Sequence, residues 1–153
     1  MNAKVYLAGP MAGMDRETML GWRLTVTEAL KPAEVVNPLR GFIDRIGADG
    51  QMIAGHEHDV LRQSHALTAR DLWDVMRSDL VFVDFSGATR VSIGTILEIG
   101  VAWAYRTPII IVMDQAGLHV HPMIREMAMY VVPTLSEAIQ LTRHALNLPI
   151  GRR

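Results

Sequence analysis

Apolar and polar positions along this chain switch several times between β-rich runs and helical spacing. Lys4-Val5-Tyr6-Leu7-Ala8 predicts a strand that stops at Gly9-Pro10, and Met11-Ala12-Gly13-Met14-Asp15 reads as a glycine-bearing loop. Asp15 is placed to cap a helix over 16–30, with Met19, Leu20, Leu24, Thr27 and Leu30 at helical spacing. Glu34-Val35-Val36 predicts a second strand ended by Asn37-Pro38. A helix is expected over 64–77, a buried strand over 79–84 and an apolar helix over 92–105. The nearly continuous apolar run 107–113 predicts a fourth strand, covered on both faces. A helix over 123–129, a strand over 130–132 and a helix over 137–146 capped by Ser136 complete the reading. Residues 39–63 break the rhythm: Gly41, Gly47, Gly50 and Gly55 interrupt a stretch expected to be a long loop with one turn of helix, and a lid over a site.

Strands that alternate with helices imply an α/β fold with a parallel sheet. Right-handed crossovers leave few arrangements. The expected one is a single domain over 1–150, a flavodoxin-like or Rossmann-like three-layer sandwich. Its five-stranded parallel sheet has order 2-1-3-4-5, and its switch point lies between the first and third strands. The loops leaving those strands, 9–13 and 84–94, are where a ligand belongs. Composition narrows the partners. The 153 residues carry a net charge of −1, so a nucleic-acid polymer is not the expected partner. There is no cysteine, which removes disulfides, thiol nucleophiles and Cys-ligated zinc. No apolar run spans a bilayer, and Met1-Asn2-Ala3-Lys4 leads straight into a strand without a signal-peptide pattern. A cytoplasmic protein with no membrane partner is expected. The ten methionines read as core filling, with Met11, Met113 and Met123 as pocket linings.

The chemistry centres on the stretch from Arg90 to Ala104, whose only acid is Glu98. A carboxylate in an apolar helix is costly unless it is used, or paired with an arginine such as Arg90 or Arg106. Ser92 and Gly94 put a hydroxyl and an open backbone at the helix head, either as a plain cap or as an anion cradle suited to phosphate. Neither GxxxxGK[ST] nor GxGxxG occurs. Glu98 lies six residues beyond Ser92, about 9 Å along the axis, so the two could hold opposite ends of a small sugar phosphate. A nucleophilic carboxylate needs a second acid to protonate the leaving group. Asp71, Asp74, Asp79 and Asp84 are the candidates, with Asp74 read as a solvated helix charge, Asp79 as a strand-entry residue and Asp84 as well placed for the pocket. His56-Glu57-His58 and His119-Val120-His121 share a spacing that could hold metal in a strand, but both read as loops without a third ligand, so no metal is expected. His121-Pro122-Met123 reads as a pocket or interface lining.

Several of these segments together resemble the nucleoside 2-deoxyribosyltransferase family: Val5-Tyr6-Leu7-Ala8-Gly9-Pro10-Met11, Asp71-Leu72, Ser78-Asp79-Leu80-Val81, and Ser92 through Gly100 with Ala102 and Pro108. The Gly94-x3-Glu98-x-Gly100 segment is the most specific part. The resemblance implies cleavage of the N-glycosidic bond of a 2'-deoxynucleoside or its 5'-monophosphate, with no cofactor or metal. It implies that Glu98 attacks the anomeric carbon to form a glycosyl-enzyme, that Asp71 handles the proton of the departing base, and that Tyr6 orients Glu98. It implies a homodimer or larger assembly in which the segment matching His121-Pro122-Met123 is lent to a neighbour's site. Together with the loop argument, it makes Gly9, Pro10, Met11, Asp84, Ser92, Gly94, His121 and Met123 the candidates for binding substrate. Family members that transfer deoxyribose between bases typically carry Asp six residues before the glutamate, whereas the 5'-monophosphate N-glycosidases carry Ser. Ser92 therefore favours a monophosphate, with Arg90 to assist. The loop 9–13 lacks the serine and arginine that the hydrolases often place there, although Arg16 is close. Water or a second base could accept the sugar. The alternatives are a catalytically idle nucleotide-binding or sensor module of the same fold, and a structural subunit in which Glu98 is merely paired.

Overall fold

Runs of Val, Ile, Leu and Phe that alternate in side-chain direction build five parallel strands with helices packed on both faces. The computed structural model describes residues 2–55, 60 and 63–149. The elements run β1 (Lys4–Ala8), α1 (Arg16–Ala29), β2 (Glu34–Val36), α2 (Ser64–Met76), β3 (Leu80–Asp84), α3 (Ile93–Ala104), β4 (Ile109–Val112), α4 (Pro122–Met127), β5 (Tyr130–Val132) and α5 (Leu135–Ala145). The sheet order is β2-β1-β3-β4-β5 with every pair parallel, as the alternation of elements implied.

Strand alternation divides the core in two. Val5, Leu7, Leu80, Phe82, Ile110 and Val112 pack with Val26 of α1 and Ala138 of α5. Tyr6, Ala8, Val81, Val83, Ile109 and Ile111 pack with Val75 of α2, Ile99 and Ala102 of α3 and Ile124 of α4. Each fully buried Leu, Ile or Phe contributes about 1.5–3 kcal/mol. The same alternation aims Tyr6 at α3. It also brings the ends of β1 and β3 together, with Leu7 opposite Phe82 and Ala8 opposite Val83. At this junction a Cβ on Gly9 would sit 2.8 Å from the Asp84 carbonyl oxygen and 2.8 Å from the Trp22 ring, so only glycine fits.

The helix ends follow local rules, with two corrections. Asp15 caps α1, accepting the Thr18 N–H at 2.7 Å. α5 begins earlier than expected and is capped by Thr134, not Ser136. The Thr134 hydroxyl accepts the Glu137 N–H and donates to the Glu137 carboxylate, a reciprocal arrangement that Ser136, already inside the helix, lacks. In α1, Leu24 is exposed. At about 100° per residue it lies about 140° round the helix from Met19. Arg23 and Val26 take the buried stripe with Met19 and Leu20.

The described part of 39–63 is folded rather than open. Ile43–Arg45 forms a 3-10 turn, and Ile46 bridges Met52 antiparallel. Leu39, Phe42 and Ile46 join Met14, Met19 and Leu20 in a third apolar cluster. Gly50, at φ +77°, lies so close to α1's approach that a Cβ there would fall 1.9 Å from the Met14 carbonyl oxygen. The His56-Glu57-His58 segment lies outside the described residues.

Candidate active site

The end of β1, the head of α3 and the middle of α2 converge at the switch point. The Tyr6 hydroxyl donates to the Glu98 carboxylate at 2.6 Å. This replaces the arginine pairing considered for Glu98: Arg90 is exposed on the loop before α3, and Arg106 is exposed beyond its end. Burial pushes Glu98 up to about 7; the Tyr6 hydrogen bond and the Arg23 charge oppose that rise, and the Asp71 charge adds to it. Burial and the neighbouring Glu98 also push the Tyr6 hydroxyl far above its ordinary value, so it stays a donor.

Asp71 comes from α2. Its carboxylate accepts two bonds from Arg70, at 3.0 Å from Nε and 2.8 Å from Nη2. Burial raises its pKa and Arg70 opposes the rise. Arg70 also donates to the Pro38 carbonyl and lies 5.5 Å over the Phe42 ring. Asp74, one turn on, is not a solvated charge. It is fully buried and accepts from both Arg40 and Arg77. Burial of a carboxylate requires such partners, and Arg40 lies 34 residues away in sequence.

Two cavities meet here. One of about 240 Å³ is lined by Gly9, Met11, Ala12, Pro38, Asp71, Ser92, Gly94, Thr95 and Glu98. The second, of about 410 Å³, shares Met11, Ala12, Pro38 and Asp71 and continues under Leu39, Phe42, Gln51, Met52 and Arg70. The described part of 39–63 is therefore a wall of the larger cavity.

Ser92 caps α3. Its hydroxyl lies 2.9 Å from the Thr95 hydroxyl, and its N–H donates to His119 Nε2 at 2.8 Å. His119 is buried and stacked on Phe85 at 3.9 Å, and burial lowers its pKa. An accepting Nε2 makes it a neutral imidazole, a role its sequence spacing gave no hint of. Asp84 is buried and accepts the Ser86 N–H at 2.7 Å; it lines neither cavity. Pro10 is buried, and His121, the cap of α4, and Met123 in its first turn are exposed; none of the three lines either cavity. Met113 lies in the core beside a small cavity under His119. Among the described residues, no group of three His, Asp or Glu side chains is arranged to hold a metal, and no helix is long and apolar enough to cross a membrane.

The model of the nucleoside 2-deoxyribosyltransferase family matches residues 5–143. The chain belongs to this family. Its members' fold recurs in solved structures at low identity. A 2-deoxyribosyltransferase from Bacillus psychrosaccharolyticus aligns at TM-score 0.69 and 16% identity, over 99% of this chain and 99% of its own. A CMP N-glycosidase from Clostridium botulinum aligns at TM-score 0.60 and 20% identity, over 92% and 98%. A conserved protein from Enterococcus faecalis aligns at TM-score 0.73 and 15% identity, over 95% and 99%. No curated protein sequence matches the chain. Of the three residues that the family's pattern singles out in the sequence, Asp71 and Glu98 line the smaller cavity, whereas Tyr6 is fully buried and touches it only through its bond to Glu98.

Proposed function

We propose that this family member cleaves the N-glycosidic bond of a 2'-deoxynucleoside or its 5'-monophosphate through a covalent glycosyl–Glu98 intermediate. The observation that carries the reading is the 2.6 Å bond from Tyr6 to Glu98, in a cavity that Asp71 and the head of α3 also line. Tyr6 orients one carboxylate oxygen and leaves the other free to attack the anomeric carbon. As that bond forms, the carbon–nitrogen bond breaks, and its electron pair goes to the base. Asp71, whose burial favours its neutral form, supplies the proton to the departing base. Water or a second base then attacks the same carbon and releases Glu98. The larger cavity, walled by Leu39, Phe42 and Met52, suits the flat apolar face of a base.

Ser92 supports a 5'-monophosphate. It stands at the positive end of the α3 dipole, and Gly94 leaves open space beside it. His121 and Met123 complete a neighbour's site in a homodimer; exposed Ile93, Leu97, Leu118 and Met123 form the apolar surface that a second copy would cover. Sedimentation of the chain at twice the monomer mass is the expected result. For the reaction, free-base release is measured from each deoxynucleoside and its 5'-monophosphate, with and without a second base. Release from monophosphates into water is expected; exchange that needs the acceptor base would make the protein a transferase, and no release from any of them would overturn the reading. Ser92→Asp places a negative charge beside the phosphate, so it is expected to weaken monophosphates at least tenfold, on the order of 1.4 kcal/mol, and to spare nucleosides. Equal loss on both would remove the phosphate role.

A further inference from the structure

Arg23 heads the largest side chains without exposed surface, and it sits in the middle of α1, where an apolar residue would fill the space. Its guanidinium donates to the Met19 carbonyl and, at 3.0 Å, to the Gly9 carbonyl. Its Nε has no hydrogen-bond partner, and it forms no ion pair with any described residue. The Trp22 ring lies 4.4 Å from the guanidinium carbon. Two carbonyls and a ring solvate a cation but do not neutralise it, and a buried charge without a counter-charge is strongly unfavourable. The balancing charge therefore comes from groups that do not touch it. Gly9, which Arg23 holds, is also a wall of the Glu98 cavity.

We propose that Arg23 is a positioning residue whose buried charge, bonded to the Gly9 carbonyl at the end of β1, favours the ionised form of the Glu98 carboxylate and fixes the Gly9 wall of the pocket. Four elements supply the titratable groups involved. Glu98 is faced by Tyr6 of β1, which donates to it, by Asp71 of α2, which repels its charge, and by Arg23 of α1, which attracts it. Asp84 of β3 also lies in the field of Arg23 and shares its charge. Burial pulls Arg23 down to about 10, which leaves it charged at neutral pH, and the Glu98 and Asp84 carboxylates favour the charged form. Attraction through a low-dielectric interior acts without contact. Arg70 of α2 offsets part of the Asp71 charge, and Arg23 adds a second cation from the opposite side of β1's end.

The effect on turnover rests on reading Glu98 as the nucleophile; the effect on its ionisation does not. The test is a pH titration of the glutamate carboxyl carbons by carbon-13 NMR in the full chain, with the Glu98 signal identified by its loss in Glu98→Gln. Arg23→Gln is expected to raise the Glu98 midpoint by about one unit. Arg23→Lys keeps the charge and is expected to hold it within about 0.3 unit of wild type. A folded Arg23→Gln with an unmoved midpoint overturns the proposal, as does an Arg23→Lys midpoint raised by a full unit. Should Arg23→Gln fail to fold, the reciprocal coupling decides. In the Arg23→Lys background the introduced amine titrates, and adding Glu98→Gln must lower its midpoint by about one unit; no change overturns the proposal. A shifted Glu98 midpoint in a protein that releases no base would uphold this inference and discard the nucleophile reading.

Discussion

Replacing Glu98 by Gln should stabilise this protein while abolishing base release. Glu98 titrates near 4.5 when free, and burial pushes it up to about 7 in the folded chain. The folded state therefore binds this proton more tightly than the unfolded state. Glu98 favours folding fully below pH 4.5, and that contribution is lost as pH rises to about 7. At 1.36 kcal/mol per unit, the gap sets an upper bound of about 3 kcal/mol. The cavity beside Glu98 is open to water, which screens the charge and brings the expected gain for Glu98→Gln above pH 7 to about 1–2 kcal/mol. That corresponds to a melting temperature higher by about 2–8 °C for a chain of this size. Glutamine keeps an oxygen for the Tyr6 hydroxyl to donate to, so the hydrogen bond survives. The assay is urea unfolding from pH 4 to pH 8.5. The two proteins should be closely matched at pH 4 and separate steadily from about pH 5 upward. A Glu98→Gln protein no more stable than wild type at pH 8 would show that the carboxylate is not held against its own ionisation. Full turnover by the same variant would remove it as nucleophile.

Tyr6→Phe removes a donor to an ionised carboxylate, worth about 1.5–3 kcal/mol. Activity at neutral pH should fall roughly 10–100-fold, and the acidic limb of kcat/KM should move upward; a loss below twofold would refute the orienting role. Asp74→Ala strands Arg40 and Arg77, which are partly exposed, so unfolding in urea should report a loss of about 2–3 kcal/mol, below that for a fully buried pair. A loss under about 0.5 kcal/mol would show that the two arginines find water instead. Gly50→Ala forces a Cβ onto the Met14 carbonyl at a positive φ. It should cost about 2 kcal/mol and raise KM more than it lowers kcat, because the wall that includes Gln51 and Met52 moves; unchanged KM would detach that wall from substrate binding.

Much of this molecule is set by local pattern. Strands of two-residue period and helices of 3.6-residue period are encoded by neighbours in sequence, so the five strands and five helices, their parallel order and the head of α3 at the switch point follow from the chain alone. Glu98 stood out because a lone acid among Ile96, Leu97, Ile99 and Val101 violates that pattern. The polar groups that decide its chemistry do not. Periodicity reports where apolar side chains are buried; it says nothing about a charge whose burial depends on a distant partner. Asp74 looks like any surface acid until Arg40 folds over it, and Arg23 looks like a surface base until Gly9 and Trp22 close round it. His119 becomes a neutral acceptor only because Phe85 and the Ser92 N–H, from the loop after β3, reach it in the loop after β4. The sequence by itself determined the scaffold and the acid at its crevice. Only the tertiary structure decided which cations and donors surround that acid, because electrostatic neighbours are chosen by distance in space.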